Sequence, residues 1–202
     1  MTLSAKYDDA LQQAASIIAN CKHLIAFTGA GVSADSGVPT FRGQGGLWGK
    51  YDENHLQLQT FIAEPDVCWA TIHRIFYEQA QGFEPNAAHR ILAKWEQLGI
   101  LDFLITQNID GLHTRAGSKK ISEFHGSCAR LQCMRCGVSV EAQAVLDGLM
   151  NNTEADQFFA PRCSCGGVYK PDFVFFGEGI PHDAFSASFE AAERADACLV
   201  IG

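Results

Sequence analysis

Apolar positions recur along the chain with two different periods. Tyr7, Leu11, Ala14 and Ile18 fall at helical spacing, so residues 6–20 read as an amphipathic helix. The short apolar run His23–Thr28, closed by Gly29, suits a buried strand. Residues 45–62 mix polar and aromatic positions without a clear period. Helical spacing returns over 66–80, with Val67, Ile72, Ile75 and Phe76 as the predicted buried positions. Asn86 is a candidate cap for a helix that carries Ile91, Leu92, Trp95 and Leu98 on one face and stops at Gly99. The run "ILDFLITQN" (100–108) reads as a second buried strand. From residue 128 to 168 the pattern breaks into cysteines and glycines around a short helical piece at 141–150. "VYKPDFVFF" (168–176) holds Pro171 inside it, which predicts an edge strand or an extended loop. Residues 183–195 read as a helix and "ACLVIG" (197–202) as an apolar strand. Strands alternating with helices predict an α/β fold, a doubly wound, mostly parallel sheet formed by 1–127 and 169–202, with a small inserted module at 128–168.

Composition narrows the class. With 202 residues, 47% of them apolar, the chain suits one ordinary globular domain with a small insert. A net charge of −8 disfavours binding to nucleic acid or to anionic membranes and favours a basic partner such as a lysine-bearing peptide. No apolar run approaches the ~20 residues of a membrane span. The first residues lack the apolar core of a signal peptide. These features predict an intracellular, cytoplasmic protein, in which eight cysteines point to metal or thiol chemistry rather than disulfides.

Three groups of residues carry candidate chemistry. Gly29-Ala30-Gly31-Val32-Ser33-Ala34 follows the first strand in the G-x-G-x-x-A form, in which the first glycine makes a tight turn and the second lets backbone approach a pyrophosphate. A plain strand-to-helix turn would read the same way. The acid that a dehydrogenase places about 20 residues on is matched only by Asp52 and Glu53, in a segment that is no strand. Instead the turn runs into a polar, proline-bearing stretch with Asp35, Phe41 and Arg42, which looks like a loop covering a ligand. "ITQNIDGLH" (105–113) then sets Gln107, Asn108 and Asp110 just past the second strand, where open α/β sheets bind ligands. Asp110 could equally cap a helix there, and His113 could simply pack. His125 in "EFHGS" is a candidate base. Finally, Cys133-x-x-Cys136 and Cys163-x-Cys165 form two close thiol pairs that match a structural zinc site with a closed four-sulfur shell. A redox dithiol is the alternative. Cys21, Cys68, Cys128 and Cys198 are expected as small core filler.

Together "GAGVSADSGVPTFRG", "TQNIDGLH", "FHGS", the paired cysteines and "KPDFVFFGE" resemble the sirtuin family, in family order and over essentially the whole chain. The resemblance implies removal of acyl groups, acetyl above all, from protein lysines with consumption of NAD, giving nicotinamide and O-acyl-ADP-ribose. It implies a Rossmann-like NAD-binding domain (1–127 and 169–202) carrying a small zinc-binding module (128–168) with one structural zinc ion, NAD and an acylated peptide meeting between the two. By motif, Gly29, Ala30 and Gly31 line the pyrophosphate, and Ser33 and Arg42 lie near the ribose–phosphate region, with Asp35 in the same cofactor set. Phe41 shields the nicotinamide ribose. Gln107, Asn108, Ile109 and Asp110 meet the nicotinamide half, Asn108 and Asp110 also serving catalysis, and His125 is the general base. Val174, Phe175, Phe176, Gly177 and Glu178 meet the peptide as an added strand and line the acyl-lysine tunnel. Sirtuins continue past Gly202, the first residue of a further NAD-binding turn, so a catalytic core short of its C-terminal part is expected. Sirtuins selective for acidic acyl groups carry a Tyr-x-x-Arg pair that aligns with Ile72 and Ile75, which argues for apolar acyl groups. Two other functions stay open: transfer of ADP-ribose or NAD hydrolysis without deacylation, and a zinc-ribbon binding module without catalysis.

Overall fold

The computed structural model describes residues 3–41, 46–78, 82–150 and 159–202. Helix α1 (Leu3–Asn20) leads into strand β1 (Leu24–Thr28). The glycine turn then enters a 3-10 helix, Ala30–Ser36, rather than an α-helix, and Gly37 ends it at φ +89°. Two further 3-10 turns, Leu47–Gly49 and Glu53–Leu56, precede α2 (Leu58–Ala63) and α3 (Pro65–His73). Asp52 caps the second of these turns by accepting from the Asn54 N–H, so the acidic pair lies on a turn and not at a strand end. The last residues of α3 widen into a π-helical turn, Arg74–Glu78. Then follow α4 (Ala87–Gln97), β2 (Phe103–Thr106), α5 (Leu112–Ala116) and β3 (Ile121–Glu123).

Strands β1, β2 and β3 join β7 (Ala197–Ile201) in one sheet of order β3-β2-β1-β7, every pair parallel. Both faces of this sheet are covered, which is why β1 reads as continuous apolar sequence. Leu24, Ala26 and Leu104 pack with Leu92 of α4 on one side, with Ile18 of α1 against them. Ile25 and Ile105 pack with Ala191 of α7 (His182–Arg194) on the other. Thr28, Thr106, Glu123 and Ile201 share one row of the register. The residues that follow them, Gly29, Gln107, Phe124 and Gly202, therefore emerge side by side at the carboxyl edge.

A second, three-stranded antiparallel sheet has the order β5-β4-β6, from β4 (Gly126–Cys133), β5 (Ser139–Glu141) and β6 (Tyr169–Phe173), with α6 (Ala142–Met150) following β5. Pro171 sits in β6 on the edge of this sheet, where its missing N–H costs no ladder bond. The sheet runs past residues 128 and 168 at both ends. Its core also draws in Phe61, Cys68, Trp69 and Ile72 from α2 and α3, alongside Leu131, Phe173 and Phe175. Trp69 Nε1–H donates to the Tyr169 carbonyl at 2.7 Å and ties α3 to β6.

Several helix faces differ from the sequence reading. On α1, Leu11 is 67% exposed and Ala14 is exposed, while Ile18 packs on the core; the Tyr7 side chain lies outside what is described. Val67 of α3 and Ile91 of α4 are exposed, as is Leu98 just past α4. Among the remaining cysteines, Cys68 is fully buried, but Cys198 points outward on β7 and is exposed. No helix among the described residues is long and apolar enough to cross a membrane.

Candidate functional site

The carboxyl edge of the parallel sheet faces the second sheet across a cavity of about 440 Å³. Ala30, Phe41, Gln107, Asn108 and Ile109 line it from the first side, with His125 at the junction. Phe173, Val174, Phe175, Phe176, Gly177 and Glu178 line it from the other. A smaller cavity of about 110 Å³ shares Ala30, Phe41, Asn108 and Ile109 with the first and adds Asp110, Leu112, Ile75 and Cys128. Of the sequence-predicted set, these two cavities take in all but Gly29, Gly31, Ser33, Asp35, Arg42, Gly202 and the four metal-site cysteines. Arg42 lies outside the described residues. Asp35 is exposed and lines neither cavity.

The glycines answer to close packing. Gly29 N–H donates to the Ile201 carbonyl, extending the β1–β7 ladder by one residue. A Cβ on Gly31 would stand 2.5 Å from the Gly202 carbonyl carbon, and one on Gly202 would stand 2.8 Å from Gly29 N. Two backbone segments thus touch where any side chain would force them apart.

Ser33, by contrast, has no exposed surface. Its hydroxyl donates to Asp110 Oδ2 at 2.7 Å and accepts from Asn108 Nδ2 at 3.1 Å, with His89 Nε2 at 3.3 Å. The other Asn108 amino hydrogen goes to the Gly29 carbonyl at 3.1 Å. That leaves the Asn108 carbonyl oxygen as the group available to a ligand. Asp110 Oδ1 accepts from Leu112 N–H, the first of α5, at 2.9 Å, but the cap position itself is held by Gly111. Beneath these residues His113 is buried and bonded to Thr28 Oγ1, a packing role. Burial lowers its pKa to about 4, with the nearby His89 adding to the effect. His89 itself carries no motif signal beyond its spacing of three from Asn86; the structure places its ring directly behind Ser33.

His125 is half-buried beside Phe124, their ring centroids 5.7 Å apart. Burial lowers its pKa from 6.5, opposed by a hydrogen bond to the Gln107 backbone. The imidazole is therefore neutral and able to accept a proton at neutral pH. Across the cavity the segment 174–178 is held from several sides. Val174 N–H donates to the His125 carbonyl and Phe176 N–H to that of Leu56, while the Phe176 carbonyl accepts from Leu58 N–H. Glu178 Oε2 accepts from Phe175 N–H at 2.9 Å and from Lys170 Nζ at 3.0 Å. Glu178 is thus a clamp on this turn. On the near side, Trp48 joins the loop to the strand: its ring centroid lies 5.3 Å from that of Phe41 and 6.0 Å from that of Phe176.

About the second sheet, the sulfurs of Cys133, Cys136, Cys163 and Cys165 all lie within 4.8 Å of one another. Cys133 to Cys165 is 3.5 Å and Cys136 to Cys163 is 3.8 Å. Four thiolates about 2.3 Å from a tetrahedral zinc stand about 3.8 Å apart, so the donor set fits that ion. Arg135 N–H and Gly167 N–H point at the Cys133 and Cys165 sulfurs, each at 3.4 Å. A Cβ on Gly167 would meet the Cys133 sulfur at 2.6 Å. Cys128 stands apart from this cluster and lines the small cavity instead.

Comparison with known proteins follows the same outline. The model of the Sir2 family matches residues 29–202. An NAD-dependent protein deacylase of Thermococcus sibiricus is 41% identical over 198 residues, covering 95% of this chain and 74% of that protein. One of Aeropyrum pernix is 41% identical over 197 residues, covering 96% and 76%. Among solved structures, a Sir2 with a deacetylated p53 peptide and 3'-O-acetyl ADP ribose superposes with a TM-score of 0.86 at 33% identity, over 95% of this chain and 76% of that one. A Sir2–p53 peptide–NAD+ structure gives 0.83 at 33% identity, over 95% and 75%. The chain belongs to the Sir2 family.

Proposed function

We propose that the chain is an NAD-dependent protein-lysine deacylase whose reaction takes place in the larger cavity, between the strand ends and the segment 174–178. One observation carries this reading: His125, the Asn108 amide and the Val174–Glu178 segment open onto a single cavity, in a chain whose relatives are named for this activity.

In this reading NAD supplies an electrophilic ribose carbon as its nicotinamide departs. The Gly29–Gly31 turn admits the diphosphate against backbone. Gln107, Asn108 and Ile109 face the nicotinamide half, with Asp110 in the adjoining small cavity, and Phe41 covers the ribose. Ser33 acts from behind, holding Asn108 and Asp110. The acyl oxygen of the substrate bonds to that ribose carbon. His125, neutral through burial, then takes the proton of a ribose hydroxyl so that the sugar oxygen can attack the acyl carbon, the lysine nitrogen leaving as the free amine and water completing the O-acyl product. The acyl-lysine enters against Val174–Glu178. Because the N–H groups of Val174, Phe175, Phe176 and Glu178 are already bonded, a peptide paired there as a strand meets Gly177 and the carbonyls. The cavity wall of Phe76, Phe173, Val174, Phe175 and Ile180 is apolar, and Arg74 is exposed and outside it. Acetyl and longer apolar acyl groups fit; a carboxylate-tipped one would be desolvated without a partner. The zinc shell is closed by four sulfurs, so the ion is structural.

The test is incubation with NAD and an acetyl-lysine peptide, measuring nicotinamide and free-lysine peptide together. Equal yields are expected. Nicotinamide without peptide product identifies an NAD hydrolase or ADP-ribosyltransferase instead, and neither product a non-catalytic module.

A further inference from the structure

We propose a second binding site, for a small carboxylate with an apolar body, at the amino edge of the parallel sheet. A cavity of about 320 Å³ opens there between the sheet and α7. Ile25, Phe103 and Ala191 form its floor, and His23, Asp102, Lys120 and Arg194 its rim. None of these residues lines either cavity at the carboxyl edge. The topology assembles the rim. His23, Asp102 and Lys120 stand immediately before β1, β2 and β3, and because those strands are parallel the three residues gather at one edge. Helix α7 leads directly into β7 and so runs back against the strands, which brings its last residue, Arg194, to the same edge. Earlier turns of α7 are held on β3, since Ser188 Oγ donates to Ser122 Oγ at 2.9 Å and Ser122 Oγ to the Ala184 carbonyl at 3.1 Å. Beneath the last turn the small Ala191 side chain faces Ile25, with Phe103 beside them, and space stays open.

Charge and surface together select the ligand. Lys120 and Arg194 are exposed at the mouth, and neither forms an ion pair among the described residues. The neighbouring acids are committed elsewhere. Glu96 accepts from the backbone N–H groups of Lys119 and Lys120, and Asp196 from those of Lys22 and His23. Asp102 Oδ2 lies 2.8 Å from His23 Nδ1. Two cations against the one rim carboxylate leave a single positive charge when His23 is neutral. A monoanion matches that charge; a phosphate dianion exceeds it and meets Asp102 as a like charge. The guanidinium of Arg194 is a planar fork fitted to a carboxylate. Ile25 and Ala191 are buried and apolar, so an anion without an apolar body would leave the floor unfilled. The volume stands near the lower end of the roughly 300–1,000 Å³ that ligand sites span, which keeps that body small. On a chain of net charge −8, these two cations are a local feature and not a general attraction for anions.

The site stands apart from the deacylase reading, and binding to the full chain tests it. Cyclohexanecarboxylate, its uncharged amide and inorganic phosphate are the probes, each titrated into 15N-labelled protein at constant ionic strength. The carboxylate is expected to shift the amides of His23, Ile25, Phe103 and Ala191 and to saturate in the millimolar range, while the amide and phosphate do not saturate. Arg194→Met and Lys120→Met keep an apolar stem and remove the charge. Both positions are exposed and unpaired, so both variants should melt as the unsubstituted protein does in the absence of probe. Kd for the carboxylate should rise about tenfold or more in Arg194→Met and several-fold in Lys120→Met. A carboxylate that does not saturate overturns the proposal, as does one bound no more tightly than its amide. Phosphate bound as tightly as the carboxylate overturns the choice of ligand. A Kd unmoved in both variants removes the two cations from the site. Shifts confined to 107–110 and 174–178 put the probe in the cavity at the carboxyl edge and overturn the second site.

Discussion

At the scale of single residues, two histidines with the same ordinary pKa are set to different tasks by burial. His125 opens onto the cavity, and its pKa is lowered from 6.5. A general base works only when unprotonated, so the acid limb of the kcat/KM profile, which reports the free enzyme, is expected to turn below pH 6.5. His125→Ala should lose about 10²–10⁴-fold in deacylation with the fold retained, and the limb should vanish with it. A limb at or above 6.5 in the unsubstituted protein removes His125 from that role. His113 has no route to the cavity and its pKa lies at about 4. An unfolded chain binds a proton on this ring below pH 6.5 that the folded chain refuses until about 4. Stability therefore falls as pH drops through that window, by about 3 kcal/mol in all. His113→Gln should flatten that part of a urea-midpoint-versus-pH curve. The sequence allowed these two roles to be told apart through neighbours: His125 stood among glycine and serine after a strand, His113 beside Leu112. His89 was not legible, because a histidine three residues into a helix gives no sign of what lies behind the turn it touches. Ser33 was legible as part of the motif, but its burial under Asn108 depends on the packing of α4.

At the scale of elements, the turn after β6 shows how a segment is aimed. Lys170 is 8% exposed, and its ammonium donates to the Pro171 and Phe173 carbonyls and to Glu178. The same ammonium lies 4.5 Å from the centroid of Phe175. Lys170→Met keeps the bulk and strips the donor from two buried carbonyls and a carboxylate. Hydrogen bonds to charged groups contribute about 1.5–3 kcal/mol each. A lower melting temperature is expected, together with a KM for peptide raised several-fold more than the KM for NAD. Equal changes in both KM values would mean that the clamp does not aim this segment in particular. The elements differ in how openly their sequences declare them. Strands β1 and β2 are apolar runs because both faces are covered. Three residues are too few for β3 to show a period, and only its pairing with β2 reveals it. Residues 45–62 lack a clean period because they pass through two 3-10 turns and a six-residue helix and meet the second core at scattered positions, Leu56 and Phe61. On α1, Leu11 kept its helical spacing and yet faces outward.

At the scale of the whole molecule, the cavity exists because two cores are set against each other, one built around the parallel sheet and one around the antiparallel sheet. The second core includes Cys133 and Cys163 themselves, next to Leu131 and Tyr169. Arg135 Nη1 donates to the Cys165 carbonyl at 2.7 Å and Met134 N–H to the Val168 carbonyl, so backbone and side-chain bonds already join the two cysteine pairs, and the four sulfurs, all within 4.8 Å of one another, are the set that a single ion would bridge. A structural zinc contributes folding free energy directly. Removing it should therefore act on β4, β6 and the segment 174–178 while sparing β1, β2 and β7. Treatment with a strong chelator is expected to release one zinc per chain and expose four additional reactive thiols. Amide exchange should then quicken through 126–133 and 163–178, with protection in the parallel sheet retained. Deacylation should fall with zinc loss and return when zinc is restored, since His125 carries the Val174 N–H on its own carbonyl and the wall of the cavity moves with that bond. If exchange quickens equally in both sheets, the two cores melt as one unit and the division of labour between them fails; if it quickens in neither, the four cysteines hold the lobe without a metal.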